Sequence, residues 1–238
     1  DRTAQRARVT LRHAAVAAAV LREMTATGGA FFSAQDAESN AREGESYLWD
    51  EDEVRGVLNR AGLSSSDQDL VVEAYGLDRG TNFRDPHHPG DPPRNVLYFV
   101  DRPDRLAAAR GLTMEAMMDG PLAEARRHLL DTRRTRDQPL TDDKIIVGWN
   151  GLMIAGLADA GRVLDEPRYV SAAERAAGWI RSRMWTPERG LMRTARDEDV
   201  KIEAFLEDYA MLVRGLVALS EATADPEMAP ITARQALQ

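Results

Sequence analysis

TDDKIIVGWNGLMIAGLADAGRVL, residues 141–164, is a segment whose apolar side chains point to almost every side of a helical wheel. A helix with this pattern belongs inside a protein, because a surface helix keeps one polar face toward water. Asp143 and Asn150 nevertheless lie seven residues apart, so an acid and an amide share one stripe of the predicted helix. Two interpretations stay open: Thr141, Asp142 or Asp143 caps the helix N-terminus, or the polar stripe faces a functional site.

The composition excludes several classes of function. With 43% hydrophobic and 29% charged residues the chain is typical of a globular protein, and 238 residues suffice for one large domain or two small ones. The net charge of −8 disfavours binding to nucleic acid or to an anionic membrane surface. Because the chain has no cysteine, it contains no disulfide, no thiol nucleophile and no cysteine-ligated metal.

The N-terminal residues 1–25 are rich in arginine and alanine and superficially match a transit peptide. They lack the apolar core and cleavage site of a secretory signal, and the longest apolar run, Ala14 to Leu21, is too short to span a bilayer. We interpret this region as an amphipathic helix on the outside of the fold. We therefore expect a cytoplasmic protein without a membrane segment, whose sequence begins inside a longer chain.

The rest of the chain alternates helices with short strands. Besides the central segment, helical periodicity extends over residues 51–61, 64–75, 104–136, 166–184 and 205–222. Strand-like runs occupy residues 30–33, 46–49, 95–100 and 190–194. The first two runs predict a hairpin with an acidic tip that carries Asp36, Glu38, Glu43 and Glu45. Alternating inner and outer helices indicate a two-layered α/α toroid, and an α-solenoid is the other arrangement that fits.

Five short motifs occur in the order in which a known family carries them. They are GAFFSAQDAES at 29–39, EGESYLW at 43–49, GTNF at 80–83 with NVL at 95–97, DDK at 142–144 with WNGLMI at 149–154, and FLEDYA at 205–210. Together they resemble the thioredoxin-domain-containing proteins of the YyaL/spermatogenesis-associated type. The resemblance covers about residues 28–222.

This resemblance implies a thioredoxin-like domain followed by a six-hairpin (α/α) toroid, similar in fold to N-acylglucosamine 2-epimerases and several glycosidases. The thioredoxin-like domain and its cysteines are absent from this sequence, so no redox activity is carried over. We expect a mainly α fold with short β-hairpin inserts, in which residues 1–238 form part of one toroid domain, truncated at both ends. Epimerases of the related fold are expected to use histidines, and no histidine here matches such a motif.

Acidic and aromatic residues of these motifs are the candidate site. Loops between helices gather at one end of a toroid and form a cleft, where neighbouring carboxylates can acquire different pKa values and act as acid and base. This is the apparatus of glycoside cleavage or of proton transfer at a sugar carbon. We predict that the catalytic residues are Asp36, Asp143 and Asp208. We predict that the substrate-binding residues are Glu38, Asp142, Trp149, Asn150, Glu207 and Tyr209, with no metal and no cofactor.

A structural interpretation exists for each candidate. Asp36 and Glu38 fit turn hydrogen bonds, acids such as Asp208 suit the first turn of a helix, and Trp149 is more typical of a core than of a sugar platform. His87 and His88 are adjacent in a Pro/Gly-rich loop, which favours a solvated loop over a metal site. Three hypotheses therefore remain: a carbohydrate-active enzyme, a scaffold that partners the thioredoxin-like domain, and a sugar-binding module without chemistry.

Overall fold

The computed structural model describes residues 16–223. The start of the predicted N-terminal helix lies outside these residues. Contacts divide the described chain into two units. The terminal unit consists of residues 16–35 and 141–223, and the middle unit consists of residues 36–140.

The described chain is mainly helical, as predicted, with short strands between the helices. Its helices are α1 (residues 16–23), α2 (Glu51–Arg60), α3 (Ser65–Tyr75), α4 (Pro103–Ala109), α5 (Met114–Asp119), α6 (Pro121–Arg134), α7 (Val147–Leu164), α8 (Pro167–Arg183) and α9 (Leu206–Thr223). Its strands are β1 (Ala34–Gln35), β2 (Glu38–Ser39), β3 (Arg42–Glu43), β4 (Leu48–Trp49), β5 (Asn95–Val96), β6 (Thr141–Asp142), β7 (Ile145–Ile146), β8 (Trp185–Thr186), β9 (Gly190–Arg196) and β10 (Asp199–Glu203). Within residues 16–223, no helix combines the length and the apolar character that crossing a bilayer requires.

The core of the terminal unit forms where α7 packs against α8 and α9. Two glycines allow α7 and α9 to approach closely, since a Cβ atom on Gly215 would lie 2.4 Å from the carbonyl oxygen of Gly151. The helix predicted over residues 166–184 is α8, which buries one apolar face. Its inward residues are Tyr169, Ala172, Ala173, Ala176, Ala177 and Ile180, all buried.

The central helix begins later than the sequence predicted. Residues Thr141–Asp142 and Ile145–Ile146 are strands, and α7 starts at Val147. The β-branched pair of β7 favours extended backbone, and it is held there by antiparallel pairing of Ile145 with Ala195 and of Ile146 with Thr194 of β9. Of the two open interpretations, the one in which Thr141, Asp142 or Asp143 caps this helix is therefore wrong, because the N-cap is Ile146 and provides no side-chain hydrogen bond.

The strand pairing also differs from the predicted hairpin. Residues 30–33 form only an isolated bridge, between Thr25 and Phe31, and β1 immediately after them pairs with β6. β4 pairs with β5, so residues 46–49 do not pair with residues 30–33. The hairpin that does form joins β2 to β3 across Asn40 and Ala41, whose φ angles are 55° and 57°. Local alternation identifies extended segments, but it contains no information about which segment pairs with which.

The helices predicted over residues 51–61 and 64–75 of the middle unit are α2 and α3. The side chains of Asp50 and Ser64 accept hydrogen bonds from the N–H groups of Glu53 (2.8 Å) and Asp67 (3.1 Å) and so cap α2 and α3. The helical region predicted over residues 104–136 is three helices, α4, α5 and α6, which are separated at Gly111 and Gly120. The two ends of the unit meet, because the N–H of Asp36 donates to the carbonyl of Leu140 (2.7 Å).

Candidate functional site

The first turns of α7 and α9 meet at Asp208, one of the predicted catalytic residues. A Cβ atom on Gly148 would lie 2.7 Å from Oδ1 of Asp208, and Asp208 is only 2% exposed. Its Oδ2 accepts hydrogen bonds from Nη1 of Arg193 (2.7 Å) and from the N–H of Phe205 (3.0 Å). The second bond is one half of a capping box, in which an acid in the first turn binds the backbone amide that precedes the helix.

Arg193 is the organising residue of this cluster, and the sequence analysis missed it. Besides Asp208, its Nη1 binds Oε1 of Glu207 (2.9 Å), and its guanidinium lies 4.7 Å from the ring centroid of Phe205. The hydrogen bond to Glu207, and the charge of Asp208, raise the pKa of Arg193, although partial burial opposes the rise. The guanidinium of Arg193 therefore stays charged. In the sequence, its position within the strand-like run that forms β9 was the only signal that could have identified it as part of a site.

A second charged cluster surrounds Asp142 and Asp143. Arg196, also on β9, binds Oδ1 of Asp142 through Nη2 (2.5 Å) and Oδ1 of Asp143 through Nε (2.6 Å). Nζ of Lys144 lies 3.1 Å from Oδ2 of Asp142. The side-chain hydrogen bond from Lys144, helped by its backbone N–H and by Ser33, lowers the pKa of Asp142 to about 2, although desolvation opposes this. Asp142 is thus an ionised acceptor at neutral pH and is unsuited to donate a proton.

Asn150 is fully engaged inside the protein. Its Oδ1 accepts from the N–H of Phe31 (2.7 Å), while its Nδ2 donates to the carbonyls of Phe31 (2.9 Å) and Ile146 (3.1 Å). The residue is 1% exposed. An amide is required here because no other side chain of this shape both donates to and accepts from the same backbone segment. The structure therefore shows a bridge between α7 and the Phe31 segment at a residue predicted to bind substrate.

Trp149 lies on the surface. It is 52% exposed, although the neighbouring residues Gly148 and Asn150 are buried. Phe205, beside the Arg193 cluster, is also exposed, and Tyr209 is partly buried with its hydroxyl accepting from the N–H of Leu191 (3.4 Å). The interpretation of Trp149 as a core residue is therefore wrong. Although α7 is apolar on most sides, it exposes this indole to solvent.

Asp36 and Glu38 belong to the middle unit, at the base of the β2–β3 hairpin. Oδ1 of Asp36 accepts from the N–H of Glu38 (3.3 Å), which is the turn hydrogen bond that aspartate typically forms. In the loop that precedes β5, Nδ1 of His88 lies 3.0 Å from Oδ2 of Asp85. Across the described ranges, no group of three or more histidine, aspartate or glutamate residues is arranged to hold a metal ion.

The structure thus brings together two sets of predicted residues in the terminal unit. One set is Glu207 and Asp208 on Arg193, and the other is Asp142 and Asp143 on Arg196. Both arginines project from β9. We take the first turns of α7 and α9, with Trp149 and the Arg193 cluster, as the candidate site. The catalytic role of Asp36 and the binding role of Glu38 stay predictions.

Comparison with known proteins supports the family that the motifs indicated. Human spermatogenesis-associated protein 20 is 32% identical over 225 residues, which cover 86% of this chain and 28% of that protein. The mouse protein of the same name is 30% identical over 236 residues, and an uncharacterized Caenorhabditis elegans protein is 27% identical over 213 residues. The chain spans about 28% to 30% of the length of these relatives. No profile of a known protein family matches the sequence.

Proposed function

We propose that the chain is part of a carbohydrate-active (α/α) toroid domain whose sugar-binding surface lies at the first turns of α7 and α9. The observation that supports this most directly is that the exposed indole of Trp149 follows Gly148, the residue at which α7 meets the Asp208–Arg193 pair. Aromatic faces provide apolar contact area for a pyranose ring, while carboxylates and guanidinium groups bind its hydroxyls. The fold and sugar chemistry implied by the family motifs agree with this interpretation.

The charged residues have different roles in this proposal. Glu207 is exposed and shares Arg193 with the buried Asp208, so Glu207 is the carboxylate that accepts hydrogen bonds from sugar hydroxyls. Asp208 holds Arg193 in place. Asp142 is unsuited to donate a proton, so we assign the acid–base role in this unit to the more exposed Asp143, which pairs with Arg196.

Sugar binding is tested on the chain itself, by tryptophan fluorescence and thermal shift with a panel of mono- and oligosaccharides. A ligand at about one hundred times its Kd stabilises the folded state by roughly 2.7 kcal/mol, which raises the Tm of a chain of this size by roughly 5–10 °C. Trp149→Ala should abolish the shift and leave the Tm without sugar nearly unchanged, because the indole is exposed. Trp49→Phe, a change at a buried indole of the middle unit, is the control that should retain binding.

The absence of a shift with every sugar, or unchanged binding by Trp149→Ala, would overturn the proposal. Chemistry is tested separately, on a sugar that binds. Asp143→Asn should abolish product formation and retain the thermal shift. Full turnover by that variant would remove Asp143 from the mechanism, and binding without any product would identify a sugar-binding module.

A second candidate function is a scaffold that partners a thioredoxin-like domain. It is favoured by large apolar side chains exposed on two helices, namely Leu152 and Val163 on α7 and Leu206 on α9, the last 86% exposed. Exposed apolar patches often mark protein interfaces. This candidate predicts that the chain binds the thioredoxin-like domain of a longer relative, that Leu206→Ser weakens the binding, and that no sugar stabilises the chain. Calorimetric titration of the two proteins distinguishes the alternatives.

A further inference from the structure

A cleft of about 250 Å³ opens in the middle unit, formed entirely by residues between Arg42 and Arg94. It plays no part in the proposed sugar site. Its volume is slightly below the range of about 300–1,000 Å³ that is typical of sites for drug-sized ligands, which indicates a small ligand. Leu48 and Phe83 supply an apolar wall, and the other lining residues are mostly charged.

The cations of the cleft are already neutralised. Arg42 forms an ion pair with Asp91, which also lines the cleft. Nη2 of Arg94 lies 2.5 Å from Oε2 of Glu53 and 3.5 Å from Oδ2 of Asp50. Neither guanidinium is therefore available as the main partner of an anionic ligand.

Asp85 lines the cleft and is held in place by hydrogen bonds. This carboxylate is buried and accepts hydrogen bonds from the N–H of His87 (2.8 Å), from Nδ1 of His88 (3.0 Å) and from the N–H of Glu43 (3.3 Å). Burial raises its pKa, but the hydrogen bonds from His88 and from the two backbone amides outweigh burial, and the net pKa is lowered. Asp85 is therefore ionised at neutral pH and fixes the loop against β3.

Two carboxylates remain without a cationic partner. In the part of the chain that the structure describes, neither Glu43 nor Glu45 forms an ion pair, although both line the cleft. Glu45 accepts a hydrogen bond from Nδ2 of Asn40 (3.2 Å). With its arginines neutralised, the cleft therefore presents an uncompensated negative charge next to an apolar wall.

We propose that this cleft binds a small aliphatic diamine, with its ammonium groups on Glu43 and Glu45 and its methylene stem against Leu48 and Phe83. An organic cation fits better than a metal ion, because no three acids or histidines of the described residues converge on one point. The ring of Phe83 adds attraction for a cation that lies over its face. The methylene stem gains by leaving water for the apolar wall.

The experiment is an isothermal titration of the chain with 1,4-diaminobutane. Saturable binding is expected, and Glu43→Gln and Glu45→Gln should each raise the Kd about tenfold, since a lost charge-assisted hydrogen bond has an effect of this size. Glutamine keeps the side-chain shape, and at position 45 it can still accept from Asn40, so both variants should fold normally. Glu115→Gln, an exposed acid of the same unit, is the matched control and should bind like the original chain.

Three results would overturn the proposal: no saturable heat, unchanged binding by both variants, or equal weakening in Glu115→Gln, which would indicate non-specific attraction to net negative charge. A lysine amide with a blocked α-amino group serves as a second probe. Tighter binding of this probe than of the diamine would assign the cleft to a lysine side chain and overturn its assignment to a free diamine. Failure of this proposal leaves the sugar proposal intact, because the two sites lie in different units.

Discussion

Replacement of Gly151 by alanine tests the close approach of α7 and α9. A Cβ atom at this position would lie 2.5 Å from the carbonyl oxygen of Met211 and 2.6 Å from the backbone N and Cα of Leu212. All three atoms belong to the backbone of α9, so the overlap is relieved only by displacing the helix. Overpacking of this kind lowers the free energy of unfolding by about 1–3 kcal/mol, whereas the higher helix propensity of alanine raises it by about 1 kcal/mol.

Because the overlapping atoms belong to the backbone, we expect the overpacking term to lie at or above the upper end of that range. After the gain in helix propensity, the free energy of unfolding should fall by about 2 kcal/mol. For a chain of this size the loss corresponds to a Tm lower by roughly 4–8 °C. Gly156→Ala is the matched control on the same helix, since no heavy atom lies within 4 Å of its added Cβ. It should gain about 1 kcal/mol of helix propensity and raise the Tm by roughly 2–4 °C.

Differential scanning calorimetry measures both shifts, and hydrogen exchange of α7 and α9 amides assigns them to the terminal unit. The expected pattern is faster exchange in both helices of Gly151→Ala and slower or unchanged exchange in Gly156→Ala. If Gly151→Ala matched or exceeded the stability of the original chain, α7 and α9 would not cross at this residue. The described packing of the terminal unit would then be refuted.

Three further predictions concern polar groups. Asn150→Ala should lower the free energy of unfolding by about 2–4 kcal/mol in urea titrations, because it orphans the buried N–H and carbonyl of Phe31. Arg193→Ala should cost about 3 kcal/mol by leaving Asp208 buried and unpaired, and the double variant Arg193→Ala/Asp208→Asn should recover part of this loss. The pKa of Asp142 is lowered from 3.8 to about 2, so its stabilising contribution is complete above about pH 5 and is lost as the pH falls toward 2; Asp142→Asn should flatten this part of a pH-dependent melting curve.

The helices were predictable because their signals are local. Asp50 and Ser64 immediately precede α2 and α3 as N-caps, and Gly111 and Gly120 separate α4, α5 and α6. The apolar stripe of α8 followed directly from helical periodicity. The strands were less predictable, because several are two residues long and pair with partners that the sequence does not specify, as β1 does with β6.

The candidate site was predictable in its acids but not in their partners. Glu207 and Asp208 were identified from a motif, whereas Arg193 stands fourteen or more residues earlier on another element and becomes their partner only through the turn from β10 into α9. Asn150 was identified as unusual for a buried helix. Its actual partner, the backbone of Phe31, is 119 residues away in sequence, a separation at which periodicity has no information.

The pairing of β1 with β6, and the hydrogen bond between Asp36 and Leu140, have a consequence for folding order. Joining β1 to β6 across about 100 disordered residues would cost about 4 kcal/mol of loop-closure entropy. A middle unit that folds first holds its own ends together and removes nearly all of that cost. The middle unit also leaves the ribosome before β6 does. If it folds during synthesis, it therefore brings β1 and β6 close together before the terminal unit is complete.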